Sequence, residues 1–134
     1  MDNLAGEVAD LLSGHGLAMN GFGGSTEEAQ AVALQYFPRK PFCIVKQWRI
    51  IDVDVNAKFA HALAADGVSA VIVFAWEVIL HSAGLRDAGD WVRSTFQRSF
   101  SQEFLFESMN TTYILLGDGV RKRGSGEAVL SIGA

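Results

Sequence analysis

The stretch Ala70-Val-Ile-Val-Phe-Ala-Trp-Glu-Val-Ile-Leu80 is apolar except for Glu77, and it is dense in β-branched and aromatic residues. A run this continuous reads as a strand covered on both faces, or nearly so. Its even positions, Ile72, Phe74, Trp76, Val78 and Leu80, carry the bulk and are expected to form the main core. Its odd positions, Val71, Val73, Ala75, Glu77 and Ile79, are smaller and hold the single charge. The chain on its N-terminal side supplies helices to cover it, and the chain on its C-terminal side supplies strands to pair beside it.

Working outward on the N-terminal side, Leu4, Val8, Leu11 and Leu12 share one face of a helix over residues 3–13, which Asp2 or Asn3 can cap and Gly14 or Gly16 can end. A connector with five glycines between Gly14 and Gly24 comes next, with Leu17, Met19 and Phe22 as its apolar anchors. Ser25-Thr-Glu-Glu28 has the capping-box spacing and opens a helix over 26–37, which Pro38 and Pro41 terminate. A strand is expected over 43–55, with a bulge where the alternation breaks at Ile50-Ile51. Asn56 can cap a third helix over 57–65, and its short excursion favours an antiparallel return.

Beyond the central strand at 69–80, strands are expected at 91–100, 103–108 and 111–116, joined by short turns. The predicted fold is α+β: a mostly antiparallel, curled five-stranded sheet, a meander able to approach a barrel, packed with two or three short helices. Residues 1–117 make one domain, and the glycine-rich 118–134 reads as a flexible or edge-lying tail.

The 134 residues suffice for one domain with its own core, and an apolar fraction of 49% is that of a folded chain. A net charge of −4 counts against nucleic acid as a partner. No apolar run reaches the roughly 20 residues of a membrane helix, and no basic, apolar leader opens the chain. One cysteine, Cys43, excludes an internal disulfide and suits a cytoplasmic setting.

No catalytic, cofactor or metal motif emerges. His15, His61 and His81 lack the spacing of a zinc site. The residues with chemistry to offer are Glu77, His61, Arg93 and Cys43. Because a lone buried carboxylate is costly, Glu77 should be paired, exposed near a sheet edge, or functional; Arg93 and Arg49 are the nearest partners, and a structural ion pair is favoured over a general base. Cys43 opens an apolar strand and reads as a small buried hydrophobe rather than a nucleophile. Arg121-Lys122-Arg123 reads as a solvated run. Phe96, Phe100, Phe104, Phe106 and Tyr113 could stack bases, but at strand spacing they read as core.

Trp48-Arg-Ile-Ile-Asp52, Gly89-Asp-Trp-Val-Arg-Ser94 and Phe106-Glu-Ser-Met-Asn-Thr-Thr-Tyr-Ile-Leu-Leu-Gly117 resemble an uncharacterised family of small proteins from pseudomonads and their prophages, over about residues 42–122. The resemblance implies a mobile-element setting and no activity. The expected function is a non-catalytic protein-binding module that modulates or inhibits a host protein, for example a defence complex, through loops 16–24 and 82–90. The alternatives are a small ligand-binding protein or enzyme with a pocket between helices and sheet, and a structural homodimer if an edge such as 111–116 is left open.

Overall fold

Side-chain caps start three of the helices among the described residues. The computed structural model describes residues 3–132, and these form α1 (Leu4–Ser13), β1 (Leu17–Met19), α2 (Thr26–Tyr36), β2 (Phe42–Asp54), α3 (Ala57–Ala65), β3 (Val71–His81), β4 (Val92–Arg93), β5 (Gln97–Ser101), β6 (Leu105–Ser108), β7 (Thr112–Leu115), β8 (Gly119–Ser125) and α4 (Gly126–Leu130). The capping box at α2 is complete: Ser25 Oγ accepts from Glu28 N–H and Glu28 Oε1 accepts from Ser25 N–H, both at 3.1 Å. Asn56 Oδ1 accepts from Phe59 N–H at 2.8 Å and starts α3. Asn3 is the N-cap residue of α1 without a side-chain bond, and Asp2 lies outside the described residues.

The sheet is larger and more mixed than the meander expected: eight strands rather than five, with β2 parallel to both β7 and β8. β2 is its axis. Along one edge β3 runs antiparallel to it, from Cys43 opposite His81 to Asp52 opposite Val71. The other edge is divided, with β7 taking Phe42–Val45 and β8 taking Arg49–Asp54. The strand expected over 91–100 bends in its middle, so that β4 pairs with β3 while β5 pairs with β6. Ser94 holds this bend: its N–H donates to Val73 O at 2.9 Å and its Oγ accepts from Val73 N–H at 2.8 Å. β3 and β4 thus extend the sheet from one edge of β2, and β7, β6 and β5 from the other; the bent segment links β4 to β5 through the chain alone, and the sheet curls into a half-barrel.

Two cores result, one on each face. The main one gathers Phe42–Val45, Trp48 and Ile50 of β2, Val71, Val73, Ala75 and Val78 of β3, and residues of β6 and β7, with Ala29 and Ala33 of α2 against it. The second packs Leu11 of α1 and Ala128 and Val129 of α4 on Ile51, Val53, Ile72 and Phe74. Both faces being covered here, Ile50 and Ile51 are each buried without any slip in parity. The register shift falls instead between Ile44 and Val45, where β3 inserts Ile79. The covered faces also change the expectation for β3: Val71, Val73 and Ala75 line the main core with Val78, Ile72 and Phe74 go to the second core, and Trp76 and Leu80 are 42% and 40% exposed.

Residues 118–132 are not a tail. β8 is inserted between β1 and β2, and Ser125 Oγ, accepting from Ala128 N–H at 3.1 Å, starts α4. The glycine-rich connector is ordered too: β1 pairs with β8, and Phe22 bridges to Leu116 and packs its ring against Phe104. β7 lies between β2 and β6, so the stretch 111–116 offers no open edge for a second copy.

Where the pairing of β2 passes from β7 to β8, the Trp48 ring fills the gap. Its indole N–H donates to Leu116 O at 3.1 Å and Gly117 O at 3.2 Å, and a Cβ at Gly119 would come within 2.4 Å of the ring. Replacing Trp48 by Ala is expected to cost about 3–5 kcal/mol, read as a fall in urea midpoint at unchanged m. Gly119→Ala should destabilise as well, whereas Leu17→Ala, 71% exposed, should leave the midpoint unmoved.

Candidate interaction site

The four residues singled out from sequence do not converge. Cys43 is fully buried in the main core, cross-strand to His81 on β3 and to Tyr113 on β7. Burial pushes its thiol up to about 12, with Arg86 pulling weakly the other way, so it carries no thiolate at neutral pH. Burial likewise pushes the Tyr113 hydroxyl up to about 12. Arg93 reaches over the second core and donates from Nη1 to Val129 O at 3.0 Å. His61 is exposed on α3. Glu77 is half-buried and stands opposite Lys46, so neither Arg93 nor Arg49 is its partner.

Arg49 is held elsewhere. Its Nη1 donates to Leu11 O and Gly14 O, both at 2.9 Å, clamping the C-terminal end of α1 to β2. Its Nε is buried with no hydrogen-bond partner among the described residues. Burial pushes the guanidinium below its ordinary value, opposed by the charge of Asp10, and it remains a cation.

Beside Arg49 lies a cleft of about 430 Å³, lined by Leu12 and Ser13 of α1, Gln47, Trp48 and Arg49 of β2, Trp76 of β3, and Asp118, Gly119 and Val120. It opens beside the point where the edge of β2 passes from β7 to β8. The ladder places Lys46 opposite Glu77 and Trp48 opposite Ala75, so Gln47 and Trp76 face one another across it. Gln47 has φ +53°, a left-handed conformation that a non-glycine residue rarely holds, and its side chain is exposed. Trp76 forms the wall towards a second hollow of about 180 Å³, lined by Leu12, Phe74, Trp76, Trp91 and Ile132.

The aromatic residues there are ordered by one another. Phe74 is buried beneath, with Trp76 edge-on to it at 5.2 Å and Trp91 stacked on it at 5.9 Å and 27°. The Trp76 indole N–H is satisfied by Leu12 O at 2.7 Å, so what Trp76 shows to solvent is hydrocarbon. Trp91 is 46% exposed, and Arg86 and Asp90 line a hollow beside it. Sequence reasoning missed this face because it counted Trp76 as core. The available signal was a tryptophan flanked by Glu77 in a strand whose neighbours were already sufficient to fill a core.

Other features resolve into structure. Phe104, Phe106 and Tyr113 are buried, and Phe96 and Phe100 pack partly buried against the two cores. Each member of the basic run meets a carboxylate. Arg121 makes a two-pronged bond with Asp52 at 2.7 Å, Lys122 pairs with Asp10 at 2.8 Å, and Arg123 with Asp54 at 3.3 Å. No helix among the described residues is long and apolar enough to cross a membrane, and none of their acidic, histidine and cysteine side chains group as a metal site would require.

Fold and surface together define a small α+β domain built on one divided strand, with an aromatic face beside the division. The chain belongs to the family described as Domain of unknown function (DUF6957), whose model matches residues 20–131. That match takes in α2, β8 and most of the C-terminal segment, beyond the 42–122 over which the resemblance was legible. No curated protein and no solved structure matches the chain.

Cys43 supplies a direct check on this assignment of roles. With its thiol near 12 and no exposed surface, it should not react with a thiol reagent such as DTNB at pH 8 in the native protein, and should react within the mixing time once denatured.

Proposed function

We propose that the protein is a non-catalytic binding module that docks a partner protein on the face carrying Trp76 and Trp91. The observation that carries this reading is the pair of half-exposed tryptophans set on one buried phenylalanine. Rigid aromatic side chains of this kind dominate interface hot spots, because they bury much area at little conformational cost. The dispersal of Cys43, His61, Glu77 and Arg93 supports the non-catalytic part, since acid–base or nucleophilic chemistry needs such groups within hydrogen-bond reach. The resemblance to pseudomonad and prophage proteins adds the partner's setting: a bacterial host protein, for example in a defence complex, which docking modulates or inhibits.

Immobilised wild-type protein and the Trp76→Ala/Trp91→Ala double variant, exposed to the same pseudomonad lysate, test it. A host protein retained by the wild type is expected to fall at least tenfold on the double variant, as loss of a hot spot worth about 2 kcal/mol or more requires. Equal retention by both, with both folded by circular dichroism, overturns the assignment of the face. Retention of nothing by the wild type counts against the module reading itself.

The cleft's volume of about 430 Å³ favours one other reading, a small-molecule site, since ligand pockets span about 300–1,000 Å³. Gln47, Arg49 and Asp118 would supply its polar contacts. A thermal-shift screen of nucleotides and metabolites separates the two, because a ligand at a hundred times its Kd adds about 2.7 kcal/mol.

A further inference from the structure

The turn after β3 is fastened at its base by a small set of hydrogen bonds. Ser82 N–H donates to Phe42 O at 2.9 Å, and Ser82 Oγ accepts from Phe42 N–H at 2.8 Å. Gly84 N–H returns to His81 O at 3.0 Å. Between them, Ala83 N–H donates to His81 Nδ1 at 3.1 Å. On the returning leg Gly89 N–H donates to Val78 O at 2.8 Å, and Val78 N–H donates to Asp90 O at 2.7 Å.

The Ala83 bond fixes the protonation state of the ring. A backbone N–H can donate only to an unprotonated imidazole nitrogen, so His81 is neutral with its proton on Nε2. The ring is buried, and each element packed around it brings its own groups. Cys43 stands across from it on β2, and Tyr113 lies beyond Cys43 on β7. From the turn, the charge of the exposed Arg86 acts on it. Burial first and the charge of Arg86 second hold His81 below its ordinary value. Of the turn's two carboxylates, Asp90 is engaged locally, Oδ2 accepting from Asp87 N–H at 2.9 Å. Among the described residues no carboxylate lies within ion-pair distance of His81.

The geometry points to His81 as a proton-operated latch for the 82–90 loop. Protonation at Nδ1 sets two donors against each other, places a second cation beside Arg86, and charges a ring with no anionic partner. The state that relieves all three is the loop lifted from the sheet with His81 in water. Linkage gives the sign: His81 titrates lower with the loop closed than with it open. The closed loop is therefore fully favoured above about pH 6.5 and loses that preference as pH falls through the midpoint of the closed form. The loop carries Leu85 and Arg86 and leads into Trp91, so the latch controls one end of the aromatic face.

The test uses the protein alone, so it is independent of any partner. The His81 Cε1–H resonance is followed between about pH 4.5 and 7.5, alongside amide exchange at Ala83 and Gly84 corrected for its intrinsic pH dependence. The expected result is a midpoint below 6.5, with the Ala83 opening constant rising tenfold for each unit between that midpoint and 6.5. In His81→Gln, which keeps an acceptor and does not titrate, the pH dependence of opening should vanish. A midpoint at or above 6.5, Ala83 protection unchanged while His81 protonates, or a His81→Gln variant with wild-type pH dependence each overturns the latch. If that variant does not fold, the wild-type titration decides alone.

Discussion

One indole organises this fold. β2 spends its first part beside β7 and its last beside β8, and a strand edge cannot serve two neighbours without a gap where they separate. A gap there would leave backbone carbonyls without donors and a void in the core, each costing of order 1–3 kcal/mol. Trp48 removes both faults at once. Its ring occupies the space, and its N–H serves the carbonyls of Leu116 and Gly117, where the chain leaves β7 to begin β8. Gly119 has to be glycine for the second strand to pass so close to the ring, and Gly117, at φ +68°, makes the turn between them.

The two neighbours of β2 are held by different means. β7 is buried throughout, and its Tyr113, Ile114 and Leu115 belong to the main core, so packing keeps it in place. β8 is the sequence Gly-Val-Arg-Lys-Arg-Gly-Ser, with no apolar face to speak of. Three ion pairs, to Asp52, Asp10 and Asp54, offset its charges, and Leu11 of α1 lies on Gly124 where any Cβ would collide. Exposed pairs contribute little individually, about 0–1 kcal/mol each, but here they select register, since a shift by one residue would face cations with the wrong partners.

That difference explains what could be read from sequence. Helices announced themselves through local chemistry: Ser25 with Glu28, Asn56 with Phe59 N–H, glycine and proline at the ends. β2 and β3 were legible from β-branched runs. β8 was not, because its fitness as a strand lies in carboxylates 69 to 112 positions away, and a glycine-rich basic run has the composition of a solvated end. The inner face of β3 was misread for a related reason. Alternation shows that two faces differ, but not which of them the rest of the chain will cover. Bulk suggested the even face, yet α1 and α4 bury it only as far as Phe74; α1 takes the Trp76 N–H at Leu12 O but leaves the ring half exposed. The same limit hid the candidate site. Glu77, His61, Arg93 and Cys43 stand out in the sequence for their chemistry, whereas exposure of an apolar side chain is a property of the assembled fold.

If the proposed docking on this face holds, the exposed tryptophans set a lower bound on what a partner would have to do. Taking roughly 100 Å² of ring left in water on each, their complete burial returns about 2.5 kcal/mol apiece at about 25 cal/mol/Å². The sum of about 5 kcal/mol barely meets the smallest estimates of the entropy lost on association, about 4 kcal/mol, and falls well short of the larger ones. Two rings alone therefore anchor nothing tightly. A stable complex has to extend past them, and the neighbouring surface offers two directions. One leads to the cleft at Gln47 and Arg49, where polar groups can fix orientation. The other leads to Arg86 and Leu85 on the loop that begins at His81. A partner using the second direction would feel the state of that loop, while one using the first would depend on the backbone strain at Gln47 and on the ring of Trp48 beneath it.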